Sequence, residues 1–163
     1  MLERGLQQES AVRIRQATQA DAQALAGLGR ALEQAWDETG LSADIAAFGA
    51  RFQVAETDGG LAGCIVLRVG DVPAGVDGQS PIQLWRIFVA PQHQGTDVAS
   101  GLLSHALAHA RENDHDVVWL GTSEDNARAI AFYRRNGFHP LGVAQLHHGH
   151  ESHRDLIMSR ALA

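Results

Sequence analysis

The 163-residue sequence contains no lysine: its thirteen basic residues are all arginine. That absence excludes every chemistry built on a side-chain amine, from a P-loop lysine gripping phosphate to a Schiff base with a pyridoxal cofactor. Cys64 is the single cysteine, so an intrachain disulfide and a multi-cysteine zinc site are both excluded. Tyr133 is the single tyrosine, which concentrates any phenol chemistry at one position. No apolar run approaches the roughly 18 residues a membrane helix needs, and the opening MLERGLQQES lacks the apolar core of a secretory signal. A bacterial-type cytoplasmic setting is the expectation. With 19 acidic residues and a net charge of −6, the chain is also poorly suited to a nucleic-acid partner, whose affinity comes mainly from cations neutralising phosphates.

The charge is unevenly spread. Glu33, Asp37, Glu38, Asp44, Glu56 and Asp58 face a single base, Arg51, within residues 31–60, a local balance of 1 − 6 = −5. The hydrophobic pattern over the whole chain predicts one α+β domain, residues 1–163, with 1–11 a poorly ordered leader. A short strand is expected at 12–15, then a helix from about Ala20 to Trp36 on the stripe Leu25, Leu28, Leu32, Trp36. Two strands at 51–56 and 61–69 flank the turn Asp58-Gly59-Gly60. A glycine- and proline-rich connection leads to a strand at 82–89, ended by Pro91, and Val98 opens an amphipathic helix. A buried strand at 116–120, a helix at 126–136 capped by Gly137, and strands near 141–147 and 155–160 complete the order. Gly27 and Gly29 resemble half of a dinucleotide fingerprint, but no strand precedes them and the third glycine is missing.

The segment Val89 to Ser100 lies between a strand and a helix N-terminus, where unpaired N–H groups and the positive end of the helix dipole converge on one spot. Small residues there let a diphosphate approach the main chain. An ordinary strand-to-helix loop is the plainer alternative. One strand later comes Asn126-Ala127-Arg128-Ala129-Ile130-Ala131-Phe132-Tyr133-Arg134-Arg135-Asn136-Gly137-Phe138. Together and in this order, the two segments resemble the GNAT superfamily of acyl-CoA-dependent N-acyltransferases over about residues 12–161. Its pyrophosphate loop, Arg/Gln-x-x-Gly-x-Gly/Ala, is matched at Gln94 and Ala99, while Asp97 stands at its usual glycine. The stretch from Val118 through Phe138, with Asp155-Leu156-Ile157-Met158, is further similar to the PaiA-type polyamine acetyltransferases.

The resemblance implies a mixed, mostly antiparallel sheet of six to seven strands flanked by about four helices. It also implies acetyl-CoA as cosubstrate, with no metal. Gln94, Gly95, Thr96, Asp97, Val98, Ala99 and Ser100 would cradle the pyrophosphate, main chain of Phe88 and Val89 would pair with the pantetheine arm, and Asn126 would contact the arm. Tyr133 would protonate the leaving thiolate, and Arg135 would reach a phosphate or simply be solvated. The acceptor would be a primary amine reacting by direct attack, with a polyamine or other small cationic amine as the narrower expectation and a homodimer as an admissible assembly. The residues 31–60 supply a motive for a cationic acceptor, since several carboxylates at one mouth concentrate a polycation. The competing reading is a GNAT-fold module that binds acyl-CoA without turnover.

An amine must be neutral to attack a thioester, and an alkylamine of pKa about 10.4 is only about one part in 2,500 neutral at pH 7, a cost of roughly 4.6 kcal/mol. Residues 82–89 carry no carboxylate to serve as base, only Gln83, Trp85 and Arg86 as polar or amphipathic groups. Glu33, Asp37, Glu38, His147 and His148 are the remaining candidates, none of them singled out. His147, His148, His150 and His153 with Glu151 form a histidine-rich turn that lacks the ligand spacing of a structured metal site. Trp36, Trp85 and Trp119 are expected as core or pocket walls, and Cys64 as a small core residue.

Overall fold

The computed structural model describes residues 11–148 and 151–162, and for 147, 148 and 151–153 the main chain alone. The leader expectation therefore lies, apart from Ala11, outside the described residues. Seven strands form one sheet: β1 (Arg13–Gln16), β2 (Phe52–Thr57), β3 (Gly60–Arg68), β4 (Pro81–Val89), β5 (Val117–Ser123), β6 (His139–His148) and β7 (Glu151–Ala161), in the order β1-β2-β3-β4-β5-β7-β6. Four α-helices accompany them among the described residues: α1 (Ala22–Ala31), α2 (Glu38–Phe48), α3 (Val98–Glu112) and α4 (Ala127–Arg135). This is the GNAT arrangement expected from the sequence. The chain divides into two compact units, one comprising Met1–Leu67 with Arg86–Ala106, the other Arg68–Trp85 with Leu107–Ala163.

In the first unit, β1 pairs antiparallel with β2, and β2 with β3 across the two-residue turn Asp58-Gly59. Phe52, Val54, Ile65 and Val66 are fully buried and, with Leu25, Leu102 and Leu103, make the core. Arg15 ties the start of this unit together: its guanidinium grips both carboxylate oxygens of Asp21 at 2.8 and 2.9 Å and reaches Glu56 at 3.2 Å. That contact holds the Asp21 carboxyl below the usual range, while burial works against it. Asp21 also accepts the Thr18 N–H at 2.7 Å, the capping interaction that starts the 3-10 turn Gln19–Asp21 leading into α1.

The first helix is shorter than its apolar stripe suggests. It ends at Ala31, and Trp36 is not on it. The Gln34 N–H bonds to Gly29 O and the Glu33 N–H to Arg30 O, a Schellman ending with Glu33 at a left-handed φ of 58°. The reversal brings Trp36 back over α1, where a Cβ on Gly29 would lie 2.7 Å from the indole. Thus the stripe ending in Trp36 is real as a packing pattern, but the chain turns to make the last contact. A separate helix, α2, then begins at Asp37, whose carboxylate accepts the Gly40 N–H at 2.6 Å.

In the second unit, β5 pairs antiparallel with β7 and β7 with β6. β4 runs parallel to β5 and is paired with it at Pro81, Ile82 and Gln83. Helix α4 ends in a second Schellman motif, with Gly137 at φ 88° and the Phe138 N–H on Tyr133 O. Val118, Leu120, Phe138, Ile157 and Met158 form its core. The Asp71–Ser80 connection is anchored where Asp116 accepts the N–H groups of Gln79 and Ser80 at 2.7 and 2.9 Å, which lowers its carboxyl pKa.

Candidate active site

Strand β4 supplies the rail of the site. Among the described residues its register with β5 runs over Pro81–Gln83, and the strand continues beyond that stretch to Val89. Phe88 and Val89, at the end of this rail, are half-buried.

After Val89 the chain makes a short 3-10 turn, Pro91–His93, before the loop expected to hold the pyrophosphate. The loop is braced from within. The Gln94 amide donates to Val89 O at 3.1 Å, the Thr96 hydroxyl donates to His93 O, and the Thr96 N–H bonds to the same carbonyl. Gly95 sits at φ 80°, a left-handed conformation that costs a side-chain-bearing residue about 1–2 kcal/mol. The first main-chain bond of α3 runs from the Gly101 N–H to Asp97 O at 2.9 Å. Hence the N–H groups of Val98, Ala99 and Ser100 precede the helical ladder, as an anion-binding helix start requires.

Asp97, the departure from the family loop, lines a cavity of about 640 Å³ together with Asp58, His93 and, one turn along, Gly101. Ala99 lies about 200° around the helix from Asp97. The Asp97 and Ala99 side chains therefore leave the start of α3 on different sides.

Helix α4 supplies the other residues. Asn126 caps it, its Oδ1 accepting the Ala129 N–H at 3.1 Å, so this side chain already has a structural task. Tyr133 lies two turns on, and its ring is packed edge-on against Phe132 and Phe138 at centroid distances of 5.5 and 5.8 Å. Burial leaves the residue 8% exposed and pushes its phenol up to about 12. No buried polar side-chain atom among the described residues lacks a partner, so the Tyr133 hydroxyl, with none among them, is not fully enclosed. Arg134 and Arg135 are exposed in the last turn of α4, where a cation also offsets the helix dipole.

The structure places Phe88, Val89 and Gln94–Ser100 on one continuous segment of the first unit, and Asn126, Tyr133 and Arg135 on one helix of the second. It also shows a cluster that sequence reasoning did not assemble. Trp36 meets Phe88 edge-on at 4.8 Å, the Arg86 guanidinium lies 5.6 Å from the Trp36 ring, and Asp44 of α2 pairs with Arg86 at 3.2 Å. Only the unusual glycine, Gly29, hinted at it. The carboxylates of residues 31–60 are partly committed: Asp37 caps α2, Asp44 holds Arg86, and Glu56 is paired with Arg13 and Arg15. Cys64 is buried with its thiol pushed up to about 12 by desolvation, which makes it an inert core residue. No group of three metal-ligating side chains occurs among the described residues, and the side chains of the histidine-rich turn lie outside them.

The sequence profile of the acetyltransferase (GNAT) family matches residues 15–138, more than half of the chain. The chain belongs to the GNAT acetyltransferase family. An uncharacterised N-acetyltransferase of Mycobacterium bovis is 31% identical over 108 residues, covering 66% of this chain and 65% of that protein. The match thus spans slightly less than two thirds of that curated relative. Among solved structures, Ard1 from Thermoplasma volcanium superposes with a TM-score of 0.76 at 21% identity, covering 94% of this chain and 99% of its own. The PaiA N-acetyltransferase from Thermoplasma acidophilum, solved with coenzyme A, gives 0.71 at 18% identity, covering 93% and 99%. At these identities the two structures speak for the fold. No helix among the described residues is long and apolar enough to cross a membrane.

Proposed function

We propose that this GNAT-family protein is an N-acetyltransferase that moves an acetyl group from acetyl-CoA to a primary amine by direct attack. The observation that carries the reading is the segment Phe88–Ser100: the extended end of β4 leads through the turn Pro91–His93 into a loop braced by its own hydrogen bonds and a helix start. A pantetheine arm with two amides matches the first, and a diphosphate matches the second. Acetyl-CoA would supply an activated thioester when bound. This chain's residues do the rest: main chain of Phe88 and Val89 aligns the arm, and the N–H groups of Val98, Ala99 and Ser100 hold the diphosphate. Gly95 lets the loop turn tightly, and Asn126 and Arg135 are the further residues the proposal assigns to the cofactor.

Tyr133 is the group the proposal assigns to the departing sulfur. A simple thiol has a pKa of about 8.5, so full transfer of a proton from a phenol at about 12 is uphill by about 3.5 units, roughly 5 kcal/mol. Tyr133 therefore keeps its proton at neutral pH and stabilises the thiolate by donating a hydrogen bond. The attacking nitrogen's proton leaves to water or to a base outside this set.

The narrower acceptor proposal is a small cationic amine such as a polyamine. It rests on Glu33, Glu38 and Asp58, the exposed acids that remain after Asp37, Asp44 and Glu56 are accounted for. Incubating the protein with acetyl-CoA and a panel of amines, and following free thiol, tests both levels. Thiol release above the hydrolytic background supports the transferase; tight acetyl-CoA binding with no release under any amine favours the non-catalytic module. A kcat/KM for spermidine above that of a monoamine of similar length, falling with salt, supports the cationic acceptor. Equal use of both amines removes it and leaves the transferase standing.

A further inference from the structure

We propose that Trp36 is a fixed wall that limits the acyl group to the shortest chains, making it a specificity-determining residue for the donor. The inference rests on the transferase reading above. Arg86 and Phe88 are two residues apart on β4 and so share one face of the strand. That face is the one the indole covers, edge-on to Phe88 at 4.8 Å and beneath the Arg86 guanidinium at 5.6 Å. If the pantetheine arm lies along β4, the acyl group is delivered to this stretch.

The wall is held from behind and above. On the α1 side a Cβ at Gly29 would lie 2.7 and 2.9 Å from the ring atoms Cε3 and Cδ2, so helix and indole are in direct contact with no space to retreat. Arg86 is itself fixed by Asp44 at 3.2 Å. The turn that presents Trp36 is closed by the Gln34 N–H on Gly29 O at 2.7 Å, which makes Gly29 both the end of α1 and the seat of the ring. An aromatic side chain confined on three sides resists displacement, and each methylene forced against such a wall costs about ten-fold or more in affinity or kcat/KM. Glycine within a helix is otherwise unfavourable relative to alanine, and seating the indole is the compensating reason for Gly29.

The test is calorimetric binding of coenzyme A and of acetyl-, propionyl-, butyryl- and hexanoyl-CoA to the whole chain, with thiol release as a second readout. The wild-type protein should bind coenzyme A and acetyl-CoA comparably and lose at least about ten-fold in affinity by butyryl-CoA. Trp36→Ala should bring butyryl-CoA within about three-fold of acetyl-CoA, and Trp36→Leu should move the cut-off part of the way, which keeps the test open if the alanine variant folds poorly. Equal wild-type affinity along the series overturns the proposal, as does a cut-off that is unchanged in both variants. Failure of every acyl-CoA and of coenzyme A itself to bind would overturn the transferase reading along with it, whereas normal acetyl-CoA binding without a length cut-off removes only the role of Trp36.

Discussion

The Gln94–Ser100 loop and helix α4 are the two regions that carry the family signature, and they work in opposite ways. The loop is exposed over most of its length, braced by its own hydrogen bonds, and offers main-chain N–H groups. In the proposed reading its side chains matter mainly for what they permit, and Asp97 lines the cavity beside Asp58. Helix α4 instead buries one side chain, Tyr133, between two phenylalanines and shifts its acidity. A region that functions through main chain tolerates substitution unless φ or steric access changes. One that functions through a single polar atom does not.

Four measurements probe that contrast, and the largest effect is expected at Tyr133. Tyr133→Phe keeps the ring packing and removes the donor, so kcat should fall by roughly 10² to 10³ while the dissociation constant for acetyl-CoA changes little. Unchanged turnover would take Tyr133 out of the mechanism and erase the difference between the regions.

The second concerns alkaline stability. With the folded phenol at about 12 against about 10 unfolded, the unfolded chain loses its proton first, so stability is lost as pH rises from about 10 to 12. The full contribution is about 2 units, or roughly 2.7 kcal/mol. Denaturant titrations should show Tyr133→Phe declining less than the wild type over this interval by about that amount; parallel declines would mean the ring is not desolvated as described.

In the loop the expected effects are smaller. Gly95→Ala must hold alanine at φ 80°, costing about 1–2 kcal/mol, which should weaken acetyl-CoA roughly 5- to 30-fold if the loop yields. An affinity within error of the wild type would show that the loop's conformation does not matter to the ligand. Asp97→Asn should alter the affinity least, by less than about three-fold and independently of salt, because Asp97 lines the cavity with Asp58. A clear, salt-dependent tightening would place its charge beside the phosphate and blur the distinction between main-chain and side-chain function.

Several features of both regions were legible before folding. The Asp58-Gly59 turn, the strand ending at Pro91, the helix opening at Val98 and the Gly137 cap follow from short-range rules and were found within a residue or two of their expected places. The α1 boundary was not. Leu25, Leu28, Leu32 and Trp36 keep helical spacing, yet the chain leaves the helix through Glu33, a residue with no intrinsic preference for φ 58°. Gly137 marks the same Schellman ending at α4 with a glycine; Glu33 marks it with nothing readable. Helix α2 carries Leu41 and Ile45 as its buried residues, and the alanines and terminal Phe48 that remain give no stripe to follow.

By itself the sequence determined the order of elements, the glycine-bearing loop ahead of α3 and the single tyrosine on α4, because these depend on residue type and on neighbours within a few positions. The tertiary structure alone decided that Asn126 is engaged as a helix cap, that Asp44 crosses to Arg86 on β4, and that Trp36 turns back from the end of α1 to cover Phe88. Such contacts join residues 42 and 52 positions apart for the last two, and they are chosen by which faces can be buried together. No local pattern encodes that choice, since spacing along the chain specifies which side a residue faces but not what it will meet there.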